Sequence, residues 1–262
     1  MSFTSLHIVK PSPWPFITSL RVLWLAFRVL GALSSVCFIE GAMGLVLVAC
    51  LGWWSDVSRE GSLLGRIGAL TYKALWTGIA LFIISEVLLF ISFFWAFFHF
   101  RLVPDITLGR VWPPAGVMAF NPFGVPLLNT TLLLSRGISI TWAHMAFLSG
   151  KKQQGQVGLT LTLVLGLMFS LVQLAEYLAA GFDFSRSVYG RIFLSLTGLH
   201  GSHVLIGASF LASILLRNSL NLISRASHTG FEISAWYWHF VDVVWIFLFS
   251  LLYWWGGPYS HL

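Results

Sequence analysis

From Ala74 to Phe98 the chain runs for 25 residues with one ionisable side chain, Glu86. About 20 apolar residues at 1.5 Å rise cross the roughly 30 Å hydrocarbon core of a bilayer, so a run of this length reads as a membrane-spanning helix. The stretch LFIISEVLLFISFFWAFF is its centre. The rest of the sequence agrees: 57% of the 262 residues are hydrophobic and 9% are charged. That is about a third of the charge expected in a soluble domain, which excludes a water-soluble fold.

Seven spans follow from the hydropathy pattern. The first runs from about Pro15 to Cys37 and contains Arg21 and Arg28, which share a helix face. The second runs from about Gly41 to Trp54 and the third from about Lys73 to His99; the third exceeds the bilayer thickness and is expected to tilt. VWPPAGVMAFNPFGVP is loop on its Pro and Gly content. Spans four to seven run from about Leu127 to Leu148, Val157 to Leu178, Arg191 to Leu216 and Glu232 to Trp255. The last closes on an interfacial belt of Tyr253, Trp254 and Trp255. The expectation is an all-α integral membrane protein forming one membrane domain over residues 1–262.

Charge sets the orientation. Lys10, Arg59, Arg66, Lys73, Lys151, Lys152, Arg217 and Arg225 fall on the N-terminal side, and Arg101, Arg110, Arg186 and Arg191 on the other. The positive-inside bias places the N-terminus in the matrix or cytoplasm and the C-terminus outside. The net charge of +6 is scattered singly between apolar runs and forms no basic stripe, so nucleic acid is not an expected partner and anionic lipid is. Cys37 and Cys50 lack the spacing of a redox or zinc site and read as buried apolar residues. MSFTSLHIVKPSPWPF has the order of neither a cleavable signal nor a transit peptide.

Ionisable groups at membrane depth are costly unless neutralised or paired, so each is a candidate functional residue. Glu86, with Phe82, Ile83, Leu89 and Phe90 as helical neighbours, is either a proton-exchanging or lipid-contacting carboxyl or a protonated acid bonded to another helix. His200 and His203, three apart, could present two imidazoles to one metal or be held by hydrogen bonds. Gly198, Gly201 and Gly207 on that span favour close helix packing. Glu232, Trp236, His239 and Asp242 draw a polar stripe down span seven, readable as a relay or as a clamp between helices. Arg136 has no acid near it in sequence, so its partner lies on another span. Trp142, His144 and Glu176 complete the set. On these residues alone, a subunit of a larger complex competes with a stand-alone transporter or membrane cytochrome, which an absorption spectrum of the isolated chain would separate.

The order of motifs resembles subunit III of the haem-copper cytochrome c oxidases. PSPWP (11–15), WWSDVSRE (53–60), LFIISEVLLF (81–90), VWPPAG (111–116), TWAH (141–144) and Glu176-Tyr177 are similar to that family's segments. The strongest matches are GLHGSHVLIG (198–207) and WYWHFVDVVWIFLF (236–249). The chain departs from the pattern at Met145, where a second His is usual, at Leu178, where a second Tyr is common, and in Gly65-Arg66-Ile67-Gly68, where a His is usual and Arg66 would replace it.

This resemblance implies helices one and two (about 15–54) splayed from a bundle of helices three to seven (about 73–255), with phospholipid in the cleft between. It implies a non-catalytic subunit that stabilises the catalytic one and supports proton uptake and oxygen access. Subunit I would be its main partner, with subunit II and accessory subunits. Haem and copper would belong to those partners, and this chain would bind no metal. Glu86 corresponds to the family's carbodiimide-reactive carboxyl. Trp54, Arg59, Trp95, His99, His203, Arg217 and His228 correspond to lipid contacts, and His144, Glu176, His200, Glu232, Trp236, His239 and Asp242 would make structural clamps. The implied location is the mitochondrial inner membrane, with a bacterial plasma membrane as the alternative, and a quinol oxidase remains open because nothing in this subunit decides the electron donor.

Overall fold

A computed structural model describes residues 11–32, 40–62, 69–104, 109–184, 187–220 and 228–257. Lys10, Cys37, Arg66, Arg186 and Arg225 lie outside the described residues. Among those described the fold is all-α: α1 (Trp14–Ala32), α2 (Glu40–Ser62), α3 (Ala69–Leu102), α4 (Val125–Leu148), α5 (Lys152–Leu178), α6 (Val188–Ser219) and α7 (Thr229–Phe247), which passes into a π-helical segment, Leu248–Trp255.

Local chemistry sets the ends. Pro126 sits in the first turn of α4, where its missing N–H costs nothing. Ser187 caps α6, its Oγ accepting from the Gly190 N–H at 2.9 Å. Gly150, at φ +74°, makes the left-handed turn between α4 and α5 that a side chain would resist. Two boundaries differ from expectation. Helix α2 continues beyond Trp54 through WWSDVSRE, because hydropathy falls there while nothing breaks the helix, and Ser12 Oγ donates to Asp56 Oδ2 at 3.0 Å. The aromatic end of span seven is π-helical, which period and composition do not signal.

Among the described residues, five stretches are long and apolar enough to cross a membrane: Gly41–Glu60, Leu70–Leu102, Lys152–Leu178, Val188–Ser219 and Thr229–Trp255. Helix α4 reads as more polar because it carries Asn129, Arg136 and Ser139, all buried inside the chain. Helix α1 carries Arg21 and Arg28, and Arg28 lies over the Trp24 ring at 5.0 Å. This is the fold of an integral membrane protein with seven helices.

The described chain divides into two compact units, Met1–Thr77 and Gly78–Leu262, the division falling within α3. In the first, α1 packs on α2 so closely that a Cβ on Gly52 would stand 2.7 Å from the Trp14 ring. In the second, α4 and α5 meet at Gly158, where a Cβ would come within 2.9 Å of the Ala143 Cβ. Trp238 of α7 is wedged between two other helices: a Cβ on Gly207 of α6 would lie 2.8 Å from its ring, and one on Gly166 of α5 would lie 3.1 Å away. Of the three glycines on span six expected to serve packing, only Gly207 does so among the described residues. Nothing lies within 4 Å of a Cβ on Gly198 or Gly201, since both face away from the helices described.

Candidate functional site

Glu86 finds its partner on α6. Its Oε2 lies 2.9 Å from Nε2 of His203, a residue 117 positions away in sequence, and both groups are largely shielded. The other ring nitrogen, Nδ1, lies 2.8 Å from the Leu199 carbonyl oxygen. A carbonyl only accepts, so Nδ1 carries a hydrogen and donates it. The Nε2···Oε2 contact is then a hydrogen bond only if a second proton sits in it, belonging either to imidazolium facing carboxylate or to imidazole facing carboxylic acid. In both descriptions the pair is neutral overall. Phe90 and Phe240 pack edge-on to the imidazole at 5.1 and 6.3 Å, and Tyr237 lies stacked at 6.3 Å.

His200 turns elsewhere. Its Nε2 donates to the Val241 carbonyl of α7 at 3.2 Å, and the ring packs against both Phe169 and Trp245. The two imidazoles therefore do not converge on one point, because residues three apart on α6 address different neighbouring helices. The resemblance places His203 among the lipid contacts. Here it is only 6% exposed and both of its nitrogens are engaged by protein, which leaves no donor for a headgroup.

The partner of Arg136 is Asp242. The Arg136 Nη2 and Nε both reach Asp242 Oδ1, at 2.8 and 2.9 Å, with the guanidinium fully buried between α4 and α7. The cation also lies over the rings of Trp238 at 4.6 Å and Phe169 at 4.8 Å, so its charge is met by a carboxylate and two aromatic faces. Asp242 thus belongs to Arg136. His239 instead is exposed beside a groove between α4 and α7 lined by Ile138, Trp142 and Met145. Trp236 is 50% exposed, so the stripe on α7 is split between the bundle interior and its outer face.

A second buried network joins α4, α5 and the π-helical segment. Asn129 Nδ2 donates to Gln173 Oε1 at 3.1 Å, and Gln173 Nε2 and Tyr253 OH donate to Glu176 Oε2 at 2.9 and 3.0 Å. Asn129 and Gln173 escape a search for charges, although polar residues in the middle of apolar helices are the available cue. Trp245 Nε1 donates to Thr130 Oγ1 at 3.1 Å, and Trp112 Nε1 to the Gly256 carbonyl at 3.1 Å, fastening the loop before α4 to the end of the π-helical segment.

His144, His228 and Glu232 form a third cluster at one end of the bundle. His228, the residue before α7, lies with Nε2 3.0 Å from Glu232 Oε1, and His144 Nε2 of α4 is 3.9 Å from the same oxygen. The remaining candidates lie at helix ends and outer faces. Trp54 and Arg59 are exposed near the end of α2, Trp95 (75% exposed) and His99 near the end of α3, and half-buried Arg217 in the last turn of α6.

The sequence matches the family model described as cytochrome c oxidase subunit III over residues 4–257. It is 47% identical over 254 residues to "Cytochrome c oxidase subunit 3" of Lumbricus terrestris, covering 96% of this chain and 98% of that protein. Relatives of the same name from Drosophila melanogaster and Polypterus ornatipinnis are 46% and 45% identical, each alignment covering 96% of this chain and 97% of the relative. With the family model matched from residue 4 to residue 257 and relatives 45–47% identical over 96% of its length, the chain belongs to the cytochrome c oxidase subunit III family.

Proposed function

We propose that this chain is a non-catalytic subunit of a proton-pumping cytochrome c oxidase, one that supports the catalytic subunit and keeps a proton store at membrane depth. The observation that carries the reading is the match from residue 4 to residue 257, which leaves no span outside the family pattern. The relatives' name supports cytochrome c, rather than a quinol, as the electron donor of the complex. The haem and copper belong to partner subunits in this reading, with subunit I the main contact and subunit II and accessory subunits beside it. The location is the mitochondrial inner membrane, with the N-terminus on the matrix side.

Glu86 and His203 hold the proton. An acid–imidazole pair with one proton between them is neutral, so holding the proton puts no net charge in hydrocarbon; passing it to an incoming base leaves the pair with one negative charge until a proton is recovered. Glu86→Gln is expected to abolish carbodiimide labelling at this position while oxygen reduction persists; continued labelling there would refute the assignment. Trp54, Arg59, Trp95, His99 and Arg217 stand as the headgroup and cleft contacts for phospholipid, while His228, also a lipid contact by resemblance, is turned to Glu232; Arg59→Ala should release bound lipid, read by mass spectrometry of the intact complex. Recovery of this chain from solubilised membranes without a haem-copper subunit would overturn the whole reading.

A further inference from the structure

We infer that His144, His228 and Glu232 form a binding site for a divalent transition-metal ion of the zinc class. Each residue offers one ligand atom, and the three atoms lie within 4.8 Å of one another. Zinc binds imidazole nitrogen and carboxylate oxygen at about 2.0–2.2 Å, so tetrahedral ligands stand roughly 3.3 Å apart. The His228–Glu232 and His144–Glu232 separations, 3.0 and 3.9 Å, bracket that value. Only small side-chain shifts are needed to close the set around one ion.

An ion pair alone leaves the cluster incomplete. Glu232 Oε1 is within hydrogen-bonding reach of His228, but at 3.9 Å His144 is too far to share it. Among the described residues, His144 Nε2 is buried and has no hydrogen-bond partner, which is costly for a shielded polar atom. A cation at the centre satisfies all three groups together. Two imidazoles and one carboxylate suit zinc and its neighbours rather than calcium or magnesium, which take oxygen ligands. The set leaves one coordination position for water.

The ligands are held in place. The His144 ring packs on Phe231 at 5.5 Å, and Phe231 in turn packs on Phe147 at 5.1 Å. The positive end of α7 opposes a cation only weakly, and Glu232 in the first turn offsets it. The site requires no electron transfer. It departs from the expectation that the chain binds no metal, and it would fasten the start of α7 to α4 from one end.

The test uses the intact purified complex, freed of loosely held metal with a chelator and then exposed to Zn²⁺ alone. Anomalous diffraction at the zinc edge should show a peak about 2.0–2.2 Å from one atom each of His144, His228 and Glu232. Elemental analysis should show one zinc fewer per complex in His228→Ala and in Glu232→Gln, with affinity at this site down roughly 100-fold or more. An unchanged zinc count in both variants, or no peak at this position at saturating zinc, overturns the inference. If neither variant assembles, the peak in the unaltered complex decides alone.

Discussion

Of the most apolar stretch of α3, 6% is buried within the chain; for α7 the share is 56%, although α7 is the less apolar of the two. In a water-soluble protein the order would be reversed, because apolar surface must leave the solvent. Hydrocarbon is as apolar as leucine, so α3 gains little from being covered by protein. What needs covering is the polar content: Asp242 of α7, Arg136 of α4, and the Gln173–Glu176–Tyr253 network all lie inside. Cohesion in the second unit therefore draws on buried polar pairs and close backbone approach as well as on its aromatic and aliphatic core.

The sharpest way to break this comparison is at the Arg136–Asp242 pair. Asp242→Ala strands a buried guanidinium and should cost about 3–5 kcal/mol, whereas Arg136→Met with Asp242→Leu should recover most of that loss. Chemical unfolding of the chain in detergent measures both, and a single substitution costing under about 1 kcal/mol would mean that the pair is not the clamp its burial implies. Gly207→Ala, which drives a methyl group into Trp238, should cost about 1–3 kcal/mol. Gly198→Ala on the same helix should be neutral or slightly stabilising, since its Cβ meets nothing and alanine favours helix. Thr130→Val takes the acceptor from Trp245 Nε1 and should cost about 1 kcal/mol. Leu88→Ala, on the exposed length of α3, should move stability by no more than about 0.5 kcal/mol, and a larger loss would show that α3 needs its apolar side chains for cohesion.

The helices were legible in the sequence to a degree that the pairings were not. A run such as LFIISEVLLF announces a span by composition alone, and positions of Pro and Gly announce the loop between α3 and α4. Helix α2 outlasts its apolar segment because hydropathy reports where a chain meets lipid, not where its hydrogen-bond ladder stops. Asp242 was legible as an expensive residue and Arg136 as one lacking a local counter-ion. That the two meet depends on how α4 and α7 pack, and 106 residues separate them. The Glu86–His203 bond is a similar case: each residue stands out on its own helix, while only the third dimension shows that they meet. Asn129 and Gln173 were missed because neither is charged, and a neutral amide in an apolar helix is a fainter mark than an acid.

Trp238 enters notches on two neighbours at once, the bare backbones at Gly166 and Gly207. A helix seated this way cannot slide along its axis by a residue without forcing the indole onto a turn that bears side chains. The depth of everything else on α7 is indexed from that single ring: Asp242 one turn further on, Glu232 about 9 Å back at 1.5 Å per residue. The indole thus works as a detent, and it lets a helix with polar groups on several sides bring each of them to its own partner.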